Sequence, residues 1–112
     1  MRLKHAWILS VSVLALGAGG ALAADVDAGA AEALAKQSGC LTCHGVSQKK
    51  AAPSYKDIAA KLKGQADAEQ KLYVHLTTQP KVKFFGKEQS HSSLKTRDEA
   101  QIRNVIHWIL SR

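Results

Sequence analysis

Cys40, Leu41, Thr42, Cys43 and His44 form the most chemically distinctive run in this chain. Cysteines at i and i+3 lie on one side of a helical turn. Their sulfurs can then reach the two vinyl groups along one porphyrin edge. A histidine directly after the second cysteine would sit beneath the iron as a proximal ligand. The spacing therefore matches covalent attachment of a c-type haem. Other uses of the pair fit less well. A thioredoxin-type redox pair needs a strand–helix–strand setting, and none is visible. A structural zinc site needs about four ligands, yet the sequence holds only two cysteines. A lone disulfide across this spacing closes a tiny loop and stabilises little.

A haem iron has two faces, and His44 can serve only one. The only methionine in the sequence is Met1. The elements that must position a second ligand therefore matter as much as the motif.

The first residues have the three parts of a secretory leader. Arg2 and Lys4 precede an apolar run from Ala6 to Leu16, and Ala21-Leu22-Ala23 is a small-residue cleavage site. The run is shorter than the roughly 20 residues of a membrane-spanning helix, so no stable anchor is expected. Residues 1–23 are read as a cleaved signal peptide and 24–112 as a single small domain of 89 residues in the periplasm. Such a short chain has a thin core and gains from a cofactor at its centre. An oxidising compartment favours disulfides between spare thiols, but both thiols here lie in the one motif. The mature chain has 14 Lys and Arg against 9 Asp and Glu, a net of +5. Two ionised haem propionates would lower this to about +3. A moderately basic surface suits acidic protein partners, nucleic acid or membrane, and export argues against nucleic acid.

Four helical segments are expected. The first runs from about Ala28 to Gln37, with Asp27 as N-cap and Gly39 just beyond. Ser54-Tyr55-Lys56-Asp57 is a capping-box pattern opening a helix to about Lys63. Asp67-Ala68-Glu69-Gln70 starts a third helix that ends before Pro80. Thr96-Arg97-Asp98-Glu99 starts the last, whose Ile102, Val105, Ile106, Ile109 and Leu110 form a core-facing stripe. No segment sustains strand alternation; "KVKFF" is the nearest approach. Gln79 to Lys95 lacks helical periodicity. Loops of this length in a small domain are usually functional or disordered, and this one is the natural candidate to close the second haem face.

At this point the chain resembles a small bacterial class I (monohaem) cytochrome c. The resemblance is carried by "ALAKQSGCLTCHG", "APSYKDIAAKLKGQADAEQKL" and "DEAQIRNVIHWILSR". It implies an all-α fold, about four helices wrapped around one covalently bound haem. It also implies thioether bonds from Cys40 and Cys43, iron ligation by His44, and a hydrogen bond from His44 to the Pro53 carbonyl. Leu34 and Trp108 would sit where first and last helices cross.

The chain departs from the family pattern at the distal ligand. Where relatives commonly place a methionine, the loop reads "KFFGKEQSHSSLKT", and His91 falls at or near the methionine slot. Leu72 and Leu76 are expected to claim the inward face near His75, and His107 lies far along the chain in the last helix. Lys81, Lys83, Lys87 and Lys95 could coordinate only as neutral amines. Deprotonating such a group at pH 7 costs about 4.6 kcal/mol, whereas histidine is already mostly neutral. His91 is the favoured sixth ligand; an open or water-bound site and another side chain remain alternatives. Some relatives place a tryptophan in this loop to bond a haem propionate. Phe84 or Phe85 occupies that neighbourhood here, and phenylalanine cannot donate.

These features point to a monomeric periplasmic carrier of single electrons with one haem c, not to an enzyme, since no nucleophile–base set or second metal cluster is legible. His44/His91 ligation would lower its potential relative to a His/Met haem. Its loop lysines would dock redox partners with acidic surfaces. The other readings are a haem protein that binds or senses gases at a displaceable sixth site, and a haem subunit of a larger oxidoreductase.

Overall fold

Asp27 opens the first helix in this computed structural model, which describes residues 25–112; the leader reading over residues 1–23 lies outside them. The Asp27 carboxylate accepts from the Ala30 N–H at 2.9 Å and starts α1, Ala28–Gln37. Gly39, with φ +78°, turns the chain into a short helix α2, Cys40–Cys43. Ser54 Oγ accepts from the Asp57 N–H at 3.1 Å and starts α3, Tyr55–Leu62. The helix α4 spans Ala68–Thr77, and α5 spans Glu99–Leu110. The N-cap of α5 is Asp98, which accepts from the Gln101 N–H at 2.9 Å. Thr96, two residues earlier, instead accepts from the Asp98 N–H and donates to Gln101 Oε1. The box thus lies two residues later than its Thr96 start suggests.

The core is built on α5. Val105, Ile106, Trp108 and Ile109 are almost fully buried, and Ala31 and Ala35 on α1 are completely so. Small side chains on α1 let the two helices approach closely. Leu34 packs against the same cluster as Trp108, as expected of the crossing of first and last helices. Asn104 clamps this crossing, donating to the Asp27 carbonyl at 2.8 Å and accepting from the Asp27 N–H at 2.9 Å.

The long segment after α4 is not a plain loop. It contains an antiparallel hairpin of β1, Lys81–Phe84, and β2, Lys87–Ser90, with Lys81 opposite Ser90 and Phe84 opposite Lys87. Phe85 and Gly86 form the two-residue turn, at φ +50° and +77°. The fold among the described residues is thus mostly helical, with five helices and this small hairpin. The strand pattern was illegible for a physical reason. Only β1 alternates, over four residues, while β2 is exposed throughout and has no apolar face.

Beyond the hairpin the chain is tied down at three points. The His91 N–H donates to the Pro80 carbonyl at 2.8 Å, and the Leu94 N–H to the Leu76 carbonyl at 2.9 Å. The Lys95 N–H donates to the hydroxyl of buried Ser38 at 2.9 Å. Leu94 itself is buried in the core. The backbone around residue 91 is therefore held to the end of the preceding connection and, through Leu94, to α4.

Candidate functional site

A cleft of about 820 Å³ opens between α2, α3, α4 and the hairpin. That volume is within the range of sites that take a cofactor, roughly 300–1,000 Å³. Cys40, Cys43 and His44 line one wall. Leu72, Val82, Phe84 and His91 line others. The motif and the favoured distal residue, distant in sequence, thus meet at one site.

The proximal wall is built by the connection from Gly45 to Pro53. The Cys43 carbonyl accepts from the Ala52 N–H, and the Gly45 carbonyl from the Tyr55 N–H, both at 2.9 Å. A Cβ on Gly45 would collide with the Gln48 backbone carbonyl, so the tight path after His44 needs glycine there. The fold brings the Pro53 carbonyl within 2.6 Å of His44 Nδ1. A carbonyl can only accept, so Nδ1 donates the proton and Nε2 is the nitrogen left for a metal. A histidine oriented in this way is a better metal ligand.

Tyr55 is a site residue that residue-by-residue reading overlooked. Its ring stacks on His44 with centres 5.4 Å apart and planes 16° apart. Its other side meets Trp108 edge-on at 5.3 Å. Burial, and secondarily Cys40, push the Tyr55 hydroxyl above its ordinary pKa, so it stays protonated. The available signal was the Pro53-Ser54-Tyr55 run, in which the cap places the tyrosine at the start of α3.

On the distal wall, His91 has one ring nitrogen, Nδ1, buried with no hydrogen-bond partner. Buried polar atoms are seldom left unpaired. Burial, followed by the nearby His44, holds its pKa below the ordinary value, and the Ser92 backbone only partly offsets this. Its ring is therefore neutral at pH 7 and has a lone pair to give.

The His44 and His91 ring centres are 6.1 Å apart. A metal–imidazole nitrogen bond is about 2 Å long, and each ring centre lies about 1 Å further out, so one metal between two imidazoles separates their centres by roughly 6 Å. The ring separation is therefore one that a single iron held by both imidazoles would fit.

His75 differs from expectation. It lines the same cleft, half-buried, with its ring centre 4.1 Å from that of His91. Leu76 and Leu72 are buried as expected. However, Leu72 and His75 are i, i+3 neighbours, so the helix turns both toward the cleft. His107 is elsewhere, with Nε2 3.0 Å from Glu69 Oε1. Of the two phenylalanines, Phe84 lines the cleft, whereas Phe85 at the hairpin tip is 81% exposed.

The fold and the site together define a small, mostly helical protein with a cofactor-sized cleft walled by a cysteine pair and histidines. The cytochrome c family model matches residues 28–112, and the chain belongs to that family. It is 36% identical over 81 residues to cytochrome c-551 of Pseudomonas aeruginosa, covering 72% of this chain and 75% of that protein. It is 38% identical over 78 residues to cytochrome c2 of Rubrivivax gelatinosus, covering 69% and 91%. Among solved structures it resembles the class 1 cytochrome MtoD from Sideroxydans lithotrophicus ES-1. The TM-score there is 0.74 at 44% identity, covering 78% of this chain and 97% of that one. Nitrosomonas europaea cytochrome c552 superposes with a TM-score of 0.55 at 28% identity, covering 71% and 96%. Membership brings one covalently bound haem c with its iron, and Cys40 and Cys43 are the cysteine pair present for attachment. The general function is electron transfer. No helix among the described residues is long and apolar enough to cross a membrane.

Proposed function

We propose that this chain is a periplasmic carrier of single electrons, with its haem bonded to Cys40 and Cys43 and ligated by His44 and His91. The 6.1 Å separation of the two imidazoles carries the reading. The haem, when bound, supplies an iron that accepts and releases one electron. Pro53 accepts the Nδ1 proton of His44, which orients the ring and would leave Nε2 to hold the iron. The backbone bonds of His91 and Leu94 to Pro80 and Leu76 hold the segment that carries the second imidazole. Two rigidly held ligands change little between oxidation states, which suits electron transfer. Leu72, Val82 and Phe84 line the cleft with apolar surface and limit water there. Two imidazole donors favour ferric iron more than a thioether does, so the potential lies below that of a His/Met haem of equal burial.

The leader-like residues 1–23 support export to the periplasm. Lys81, Lys83, Lys87 and Lys95 are exposed beside the distal wall and would steer redox partners with acidic surfaces. The carrier works as a monomer and has no reaction of its own. Carbon monoxide binding to the ferrous protein tests this. A closed carrier binds it slowly, at a rate limited by loss of His91 and independent of gas concentration. Fast, concentration-dependent binding would favour a gas-binding or sensor protein instead.

A further inference from the structure

His75 has no part in the proposed ligation, yet it is held beside the residue that does. The Leu94 N–H to Leu76 carbonyl bond joins the segment after His91 to α4, one residue from His75. The two rings are 4.1 Å apart, centre to centre, and both line the cleft that holds His44. His44 and His107 are anchored, to Pro53 and Glu69 respectively. His75 makes no comparable side-chain hydrogen bond among the described residues. A displacement of this size is on the scale of a rotamer change about χ1 and χ2. It requires no break in α4, because the ring already faces the space into which it would turn.

We propose that His75 is a reserve iron ligand: when His91 leaves the metal, the His75 imidazole turns into the vacated position and keeps the iron six-coordinate. The proposal rests on His91 as the resident sixth ligand. It gives the distal side two discrete arrangements, one with each imidazole on iron, whose populations follow their relative affinities. Lysines near the cleft are weaker competitors at neutral pH because each must first lose a proton. A chain with this second imidazole resists opening of the iron to small ligands even when the loop shifts.

The test compares electron paramagnetic resonance and optical spectra of four ferric holoproteins at neutral pH: wild type, His91→Ala, His75→Leu and the double variant. The proposal predicts low-spin iron in the wild type and both single variants, with high-spin iron only in the double variant. Low-spin wild type with high-spin His91→Ala would overturn the reserve role and leave His91 as the ligand. High-spin wild type, or low-spin iron in the double variant, would overturn the His91 reading itself and the proposal with it. Should His91→Ala fail to fold, photolysis of the ferrous carbon monoxide complex decides. Two phases of internal ligand return are expected in the wild type and one in His75→Leu. A single phase common to both would overturn the proposal.

Discussion

The imidazoles of His44 and His91 line one cleft and stand 6.1 Å apart between ring centres. That spacing admits one metal bonded to a nitrogen of each ring. Replacing the distal donor should therefore alter the iron without rebuilding the site. His91→Met is expected to raise the reduction potential, because a thioether favours the ferrous state. A potentiometric titration of the two proteins checks this; an unchanged or lower potential in the variant would count against distal ligation by His91.

Burial and the proximity of His44 lower the pKa of His91 below its usual value near 6.5. Burial, then His91 and His44, do the same for His75. A base with a depressed folded pKa stays neutral while its unfolded counterpart takes up a proton. Stability from these rings is therefore full above about pH 6.5 and is lost as pH falls through the folded pKa values. Acid also competes with iron for the same nitrogen. The low-spin optical spectrum should hold from pH 8 down to about pH 6.5 and be lost only below it. A transition midpoint above that value would contradict the burial argument.

Phe85 stands at a turn position with φ +50° and is 81% exposed. Two-residue turns with both φ values positive favour Asn-Gly. A left-handed conformation costs an ordinary L-residue roughly 1–2 kcal/mol, and asparagine pays less. Phe85→Asn should stabilise the holoprotein by up to about 1 kcal/mol, or roughly 4–8 °C in Tm for a domain of this size. Calorimetry of the two proteins gives the answer.

Glycines in two settings should respond oppositely to alanine. At Gly45 a new Cβ meets the Gln48 backbone carbonyl, which has no flexible side chain to yield. Gly45→Ala should cost about 1–3 kcal/mol and loosen the His44–Pro53 bond. At Gly29, inside α1, the nearest foreign atom is Asp27 Oδ1 at 3.7 Å, an ordinary contact. Gly29→Ala should stabilise by about 0.5–1 kcal/mol. Guanidinium unfolding of both variants compares the two signs directly.

Docking through the hairpin lysines has its own signature. Electron exchange with an acidic redox protein should slow steeply as ionic strength rises, because exposed charges are screened beyond about 10 Å at 0.1 M salt. Charge reversal at Lys83 or Lys87 should reproduce much of that loss at low salt. Rates indifferent to salt would remove the electrostatic docking role.

Most of the helical frame was legible because its signals are local. Asp27 and Ser54 cap the helices they were expected to cap, and Ile102, Val105, Ile106 and Ile109 of the expected stripe are buried in α5, with Leu110 only partly so. The haem motif was legible because its chemistry needs contiguous residues. The hairpin was not, since four-residue strands with one exposed partner leave no periodicity to read. His75 was missed because the helix was assigned a single inward stripe, while α4 packs against the core with Leu76 and against the cleft with Leu72 and His75. The stacking of Tyr55 on His44 depends on a tertiary path through Gly45 and Pro53 that spacing alone does not convey.

Ligation of the iron by two imidazoles is best checked by the electron paramagnetic resonance spectrum of the ferric wild-type holoprotein at neutral pH. Low-spin signals of the bis-imidazole type are expected. High-spin ferric iron as the main species would contradict it and leave the sixth position open.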